Sequence, residues 1–203
     1  MPQKGESIFP PFQPLRVKYK DVFDLKAFYE AVHEWLVQNG WGTIEEGEVD
    51  HFETLYGERI GREGMKEIWI QWRVKKDAEG GSNFTYYLNL DYHVLGLTSI
   101  EAVKEGMKMK VNKGELDLYI NAFIEEKYSK ALEQNPILKY FFILFKQRVY
   151  RKEYEQRKKE LYQETYVLQN FIKQWFKLKR YLPYEESKSF FPSSAWPSHL
   201  KEQ

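Results

Sequence analysis

No cysteine occurs among the 203 residues, which excludes disulfides, thiolate metal sites and cysteine nucleophiles. A charge of one sign is missing as well. The 31 Lys and Arg stand against 30 Asp and Glu, and the net of +1 gives no whole-chain field to draw in a polyanion. No apolar run approaches the roughly 20 residues that span a bilayer, and no leader sequence is visible, so the expectation is a cytoplasmic chain with no transmembrane segment. Equally absent are a nucleophile beside a base, paired carboxylates on one element, a phosphate-binding loop and zinc spacings. Gly61, Gly64, Gly80 and Gly81 read as turns, because neither the spacing nor the following helix of a phosphate cradle is there. The residues therefore name no catalytic group, no metal ligand and no cofactor. A non-enzymatic role is favoured, while an enzyme assembled from distant residues stays open.

What the chain has in excess is aromatic: six Trp, 15 Tyr and 14 Phe make 17% of it, enough that many must lie in packing or partner surfaces. Much of the order lies in residues 66–126, where apolar and polar residues alternate with the period of two that marks a strand with unlike faces. Four antiparallel strands are expected. Their apolar sets are Ile68, Ile70, Trp72 and Val74; Phe84, Tyr86, Leu88, Leu90, Tyr92 and Val94; Val103, Met107, Met109 and Val111; and Leu116, Leu118, Ile120, Ala122 and Ile124. A one-residue slip would turn a whole set to the wrong face, so parity constrains the turns. It places a loop at 96–99, a second loop beginning at Asn112, Tyr86 opposite Met109 and Leu88 opposite Met107.

Four prolines, Pro2, Pro10, Pro11 and Pro14, make 1–14 an extended arm, loose or docked through Ile8 and Phe9. The sheet domain spans 15–135. It begins with a short strand at 15–19, after which Asp24 reads as a helix N-cap and Phe28, Val32, Trp35 and Leu36 recur at helical spacing until Asn39 and Gly40 stop the run. An acidic cluster, Glu45, Glu46, Glu48, Asp50, His51 and Glu53, reads as a solvated loop before a weakly patterned strand that ends near Ile60.

Glycine and proline vanish from 137–182. The simplest reading of 136–182 is one long basic amphipathic helix, with a tight turn inside 151–160, giving a helical hairpin, as the alternative. Residues 137–145 are apolar almost all round, 151–160 are charged almost all round, and Val167, Leu168, Phe171, Ile172, Trp175 and Leu178 restore an apolar stripe. Such a helix outreaches a domain with a radius of about 17 Å. The distal stripe is therefore expected to need a second subunit, a membrane surface or the tail 183–203, which reads as extended and carries Phe190, Phe191 and Trp196. Twelve Lys and Arg against four Glu give 136–182 a net of +8, which leaves −7 for the rest.

The fold class is α+β: an antiparallel meander with an N-terminal helix packed on it and a long C-terminal helix or helical hairpin. Strand, helix, meander and long last helix, in that order over 15–182, resemble the START-like helix-grip fold, and the resemblance implies an architecture with a cavity for an apolar ligand. Three functions follow. The first is an assembly or scaffolding protein, a homo-oligomer joined through Tyr154, Leu161, Leu168, Phe171, Trp175, Phe190, Phe191 and Trp196. The second is a carrier for an apolar small molecule lined by Phe84, Tyr86, Met107 and Met109. The third is binding to nucleic acid or an anionic membrane surface through Arg148, Arg151, Lys152, Arg157, Lys158 and Lys159, with Trp69, Tyr87, Tyr119 and Phe123 on the polar side of the sheet as stacking platforms.

Overall fold

A computed structural model of the chain describes residues 5–10, 13–44, 51–61, 64–78, 84–104, 107–127 and 151–178, and for 102–109 the backbone alone. The elements are β1 (Glu6–Ser7), β2 (Leu15–Phe23), α1 (Leu25–Gln38), β3 (Gly42–Thr43), β4 (Glu53–Ile60), β5 (Lys66–Asp77), β6 (Phe84–Lys104), β7 (Met107–Glu126) and α2 (Arg151–Trp175). The strands form one antiparallel sheet whose centre is β7, β6 and β5. Strands β1 and β2 lie end to end along the outer side of β7, and β3 and β4 do the same along β5.

The expected alternation is present on every central strand. Trp72, Val74, Phe84, Leu88, Leu90, Val94, Leu116, Leu118 and Ile120 all turn to one side and are at most 1% exposed. Both helices cover that side. Helix α1 starts where the Asp24 carboxylate accepts from the Ala27 N–H at 3.0 Å, and it buries Phe28, Val32 and Leu36. Its ring contacts run to Tyr92 and Trp72. Helix α2 lays Leu161, Leu168 and Ile172 into the same core. The two helices meet through Trp35 and Phe171 at 6.0 Å.

Both helices end with the same device. At the end of α1 the Trp41 N–H returns to Leu36 and Gly40 to Val37, with Gly40 at φ 77°. At the end of α2 the Leu178 N–H returns to Lys173 and Lys177 to Gln174, with Lys177 at φ 54°. These paired bonds close the last turn around a left-handed residue. They stop α2 near residue 176, so the helix does not run on to 182. The segment 151–160 is continuous helix, which removes the turn proposed there. Residues 136–150 and 179–203 lie outside the described residues.

Three corrections concern the meander. Strands β6 and β7, of 21 and 20 residues, each join two of the expected strands, and the chain reverses between Lys104 and Met107. No turn occurs at 96–99 or after Asn112. Instead a bulge between Leu95 and Thr98 shifts the register, and Gly114 lies across from it. A Cβ on Gly114 would sit 3.0 Å from the Leu95 carbonyl oxygen, so a glycine is needed for the backbones to approach there. Tyr86 consequently faces Ile124 and Leu88 faces Ala122, while Met109 and Met107 face Ala102 and Lys104.

The N-terminal arm docks. Glu6 and Ser7 pair with Ile124 and Phe123, and Ile8 and Phe9 are 8% and 6% exposed.

Candidate functional site

The inward residues of the distal stripe of α2, Leu168 and Ile172, are buried in the protein's own core and need no partner, while Val167 and Trp175 stay 55% and 40% exposed. Leu161 and Leu168 are fully buried, and Phe171 is half-buried beside Trp35. Tyr154 packs its ring 6.0 Å from Phe84 and donates to Glu6 at 2.8 Å. The physical reason is strand length. At about 3.3 Å per residue a strand of some 20 residues reaches about 66 Å, long enough to carry a helix lying lengthwise. Of the described residues expected to mediate self-association, Trp175 alone is exposed, at 40%. Phe190, Phe191 and Trp196 lie outside the described residues.

A polar seam fixes α2 on the sheet. Glu164 accepts from Trp41 Nε1 and from Lys76 Nζ, both at 2.9 Å, and Glu160, paired within the helix with Arg157 at 2.8 Å, accepts from the Tyr86 hydroxyl at 3.5 Å. Burial, reinforced by the neighbouring Glu160, pushes the Tyr86 hydroxyl up to about 12. Phe84 and Tyr86, the expected ligand-lining pair, are 0% and 3% exposed and packed beneath Tyr154 and Glu160. The side chains of Met107 and Met109 lie outside the described set.

The basic stretch is partly committed. Arg157 pairs with Glu160 and Lys158 with Glu6, leaving Arg151, Lys152 and Lys159 exposed; Arg148 lies outside the described residues. The second face of the sheet carries the expected aromatics, and several of its charges are paired across strands. Arg73 meets Asp91 at 2.6 Å, His93 meets Glu67 at 3.0 Å with its ring stacked on Trp69, and Tyr87 donates to Glu125 at 2.6 Å. Arg16 clamps Asp117 through two nitrogens while lying over the Tyr119 ring, and it holds the Asp117 carboxyl below its ordinary value. The cations paired in this way are already neutralised and offer little to phosphate.

The feature that stands apart is β4. Leu55, Tyr56 and Ile60 are 47%, 52% and 65% exposed, and Met65 beyond them is 42% exposed. Strand β4 pairs with β5 on one side, and among the described residues nothing pairs with its other side. The hydrogen-bonding parity of this ladder is set by the Gly61 N–H, which donates to the Met65 carbonyl at 2.7 Å. Since bonded and non-bonded pairs alternate in an antiparallel ladder, Arg59, Gly57 and Leu55 also bond inward to β5. Tyr56, Glu58 and Ile60 then direct their N–H and C=O groups outward from the sheet. Side-chain parity adds a second sorting. Tyr56, Glu58 and Ile60 share the helix-covered side with Ile70, Ile68 and Lys66, and Leu55, Gly57 and Arg59 share the other side with Gln71, Trp69 and Glu67.

Beyond the ladder, three side-chain ties hold β4 in place: Tyr29 donates to Glu53 at 3.0 Å, Thr54 Oγ1 donates to the Gln71 carbonyl at 3.1 Å, and Lys66 pairs with Glu58 at 2.8 Å. Beside its end, Arg59, Gly61, Met65, Lys66, Glu67, Leu95 and Gly96 line a surface depression of about 290 Å³. The sequence signal for this edge was present and easily missed. Three large apolar residues occur in a strand without clean alternation, which is what a strand lacking cover on either side looks like. Among the described residues no helix is long and apolar enough to cross a membrane. Comparisons with known proteins return nothing: no family model, no curated protein and no solved structure matches this chain.

Proposed function

We propose that the protein is a non-enzymatic assembly or scaffolding component that self-associates by adding a strand to the β4 edge. The observation that carries this reading is the coincidence, on one strand, of outward backbone donors and acceptors with exposed Leu55, Tyr56 and Ile60. An edge of that kind templates another strand: main-chain bonds supply affinity and the alternating side chains supply register. The START-like resemblance enters as architecture. The N-terminal strand beside the last strand and both helices on one side of the sheet are features that support it.

Light scattering coupled to size exclusion, over a hundredfold range of concentration, tests the reading. The expected result is a mass that rises with concentration in the wild type and stays monomeric in Ile60→Lys and in Glu58→Pro. Glu58→Pro removes an outward N–H and leaves the β5 ladder intact. A wild type that remains a monomer throughout, or a Glu58→Pro variant that assembles as well as wild type, would sink it.

A further inference from the structure

We infer that the strand added to β4 is the β4 of a second copy, antiparallel to the first, with the two-fold axis passing at Gly57. The inference rests on the proposed self-association and adds its partner and register.

Antiparallel self-pairing must match outward-bonding residues with one another, so the axis falls on one of the residues of β4. Three observations select among them. First, a bulge interrupts β4 between Glu53 and Leu55, and an axis at Tyr56 would carry the pairing into it after a single residue on that side. Second, an axis at Glu58 or Arg59 opposes that residue to its own copy, and like charges directly opposite are destabilising. Third, an axis at Leu55 lies at the bulge itself and one at Ile60 leaves the strand at once, whereas an axis at Gly57 gives two paired residues on each side before the bulge and opposes no like charges. It sets Tyr56 opposite the partner's Glu58 and Leu55 opposite the partner's Arg59, twice each by symmetry.

These pairings are complementary in chemistry. The Tyr56 hydroxyl, which already donates to Glu58 of its own chain at 2.8 Å, comes within reach of a second Glu58. Leu55 lies along the aliphatic stem of Arg59, a cation that has no ion pair among the described residues. The interface is isologous, so it closes at two copies and leaves no second edge of the same kind.

The absence of native cysteine makes the register directly readable. Residues facing each other across a non-bonded pair have Cα atoms about 4.5 Å apart, within disulfide range, whereas residues two positions out of register lie beyond it. A Cβ on Gly57 has its nearest neighbour at 3.7 Å, an ordinary contact, so Gly57→Cys is expected to fold. Gly57→Cys and Tyr56→Cys are each oxidised mildly and run on a non-reducing gel, with circular dichroism and light scattering in parallel. The expected outcome is a covalent dimer from Gly57→Cys and none from Tyr56→Cys. A dimer in solution whose Gly57→Cys form fails to cross-link, or whose Tyr56→Cys form links instead, overturns the Gly57 axis while self-association stands. A monomer at every concentration overturns both.

Discussion

The two longest outer strands of the sheet, β2 and β4, solve the same problem differently. Strand β2 carries Arg16, Lys18 and Lys20 along its length, and they are paired with Asp117 and Glu115 of β7. Its inward residues, Val17 and Phe23, are buried, and α2 lies over it, with Gln169 reaching the Arg16 carbonyl. Strand β4 has no such row of lysines and no comparable burial. Charge and a covering helix are the usual means by which an edge is kept from pairing with strangers. One edge of this molecule has both devices. The other lacks the charged row and keeps large apolar side chains in water, which is the strongest physical reason to regard β4 as a surface meant to be covered.

The sharpest way to break this contrast is to empty one side chain on each edge. Phe23→Ala removes a ring set against Tyr19 and Phe176 and should cost about 3–5 kcal/mol in a denaturant titration. Tyr56→Ala should change monomer stability by no more than about 0.5 kcal/mol. If the two losses are equal, β4 is as deeply built into the core as β2. Next in size is Leu168→Ala, which thins the helix lying over the β2 side. A loss of about 2–5 kcal/mol with no change in solution mass is expected, and a fall in mass with unchanged melting would restore the stripe to an intermolecular role.

Acid should act on β2 first. Arg16 and Lys18 hold the Asp117 and Glu115 carboxyls below their ordinary values. A carboxylate depressed in the folded state adds stability that is complete above its unfolded value near 4 and fades as pH falls through the lower folded value. Melting temperature should therefore drop below about pH 4, and Asp117→Asn, which weakens a two-nitrogen clamp on a buried carboxylate at a cost of about 1–3 kcal/mol at pH 7, should lose its difference from wild type in that range. A gap that widens with acid would contradict the assignment. The smallest effect on stability belongs to an exchange of edge character: Lys18→Leu with Lys20→Val should leave melting within about 0.5 kcal/mol but raise the solution mass, because it removes two of the three cations of β2. An unchanged mass would mean that charge is not what keeps β2 single.

The sequence carried the central sheet well because Trp72, Leu88, Leu118 and their neighbours are buried on one side only, and a half-buried strand writes its pattern in alternation. The number of strands was misread for a definable reason. Gly96, Asn112 and Gly114 have the composition of turns, yet Gly96 at φ 61° sits at the bulge and Gly114 gives it room. A bulge resets the alternation as a hairpin would, so local composition alone does not tell the two apart. The destination of α2 is not legible from chain length, because a spherical estimate of domain size fails where the strands are 20 and 21 residues long. The β4 edge was hidden by the opposite problem: exposure on both sides leaves no pattern to read.

The pairing of β2 with β7 has a consequence for how the chain reaches this state. Arg16 and Asp117 are 101 positions apart, and β7 is the neighbour of both β1 and β2. About a hundred further residues must follow β2 before its ladder partner exists, and Ile8, Phe9, Val17 and Phe23 lack their β7 cover until then. Long-range closure of this kind slows folding and lengthens the exposure of apolar segments. The lysines and arginine of β2 keep that waiting segment charged, which disfavours its pairing with any other strand before β7 arrives.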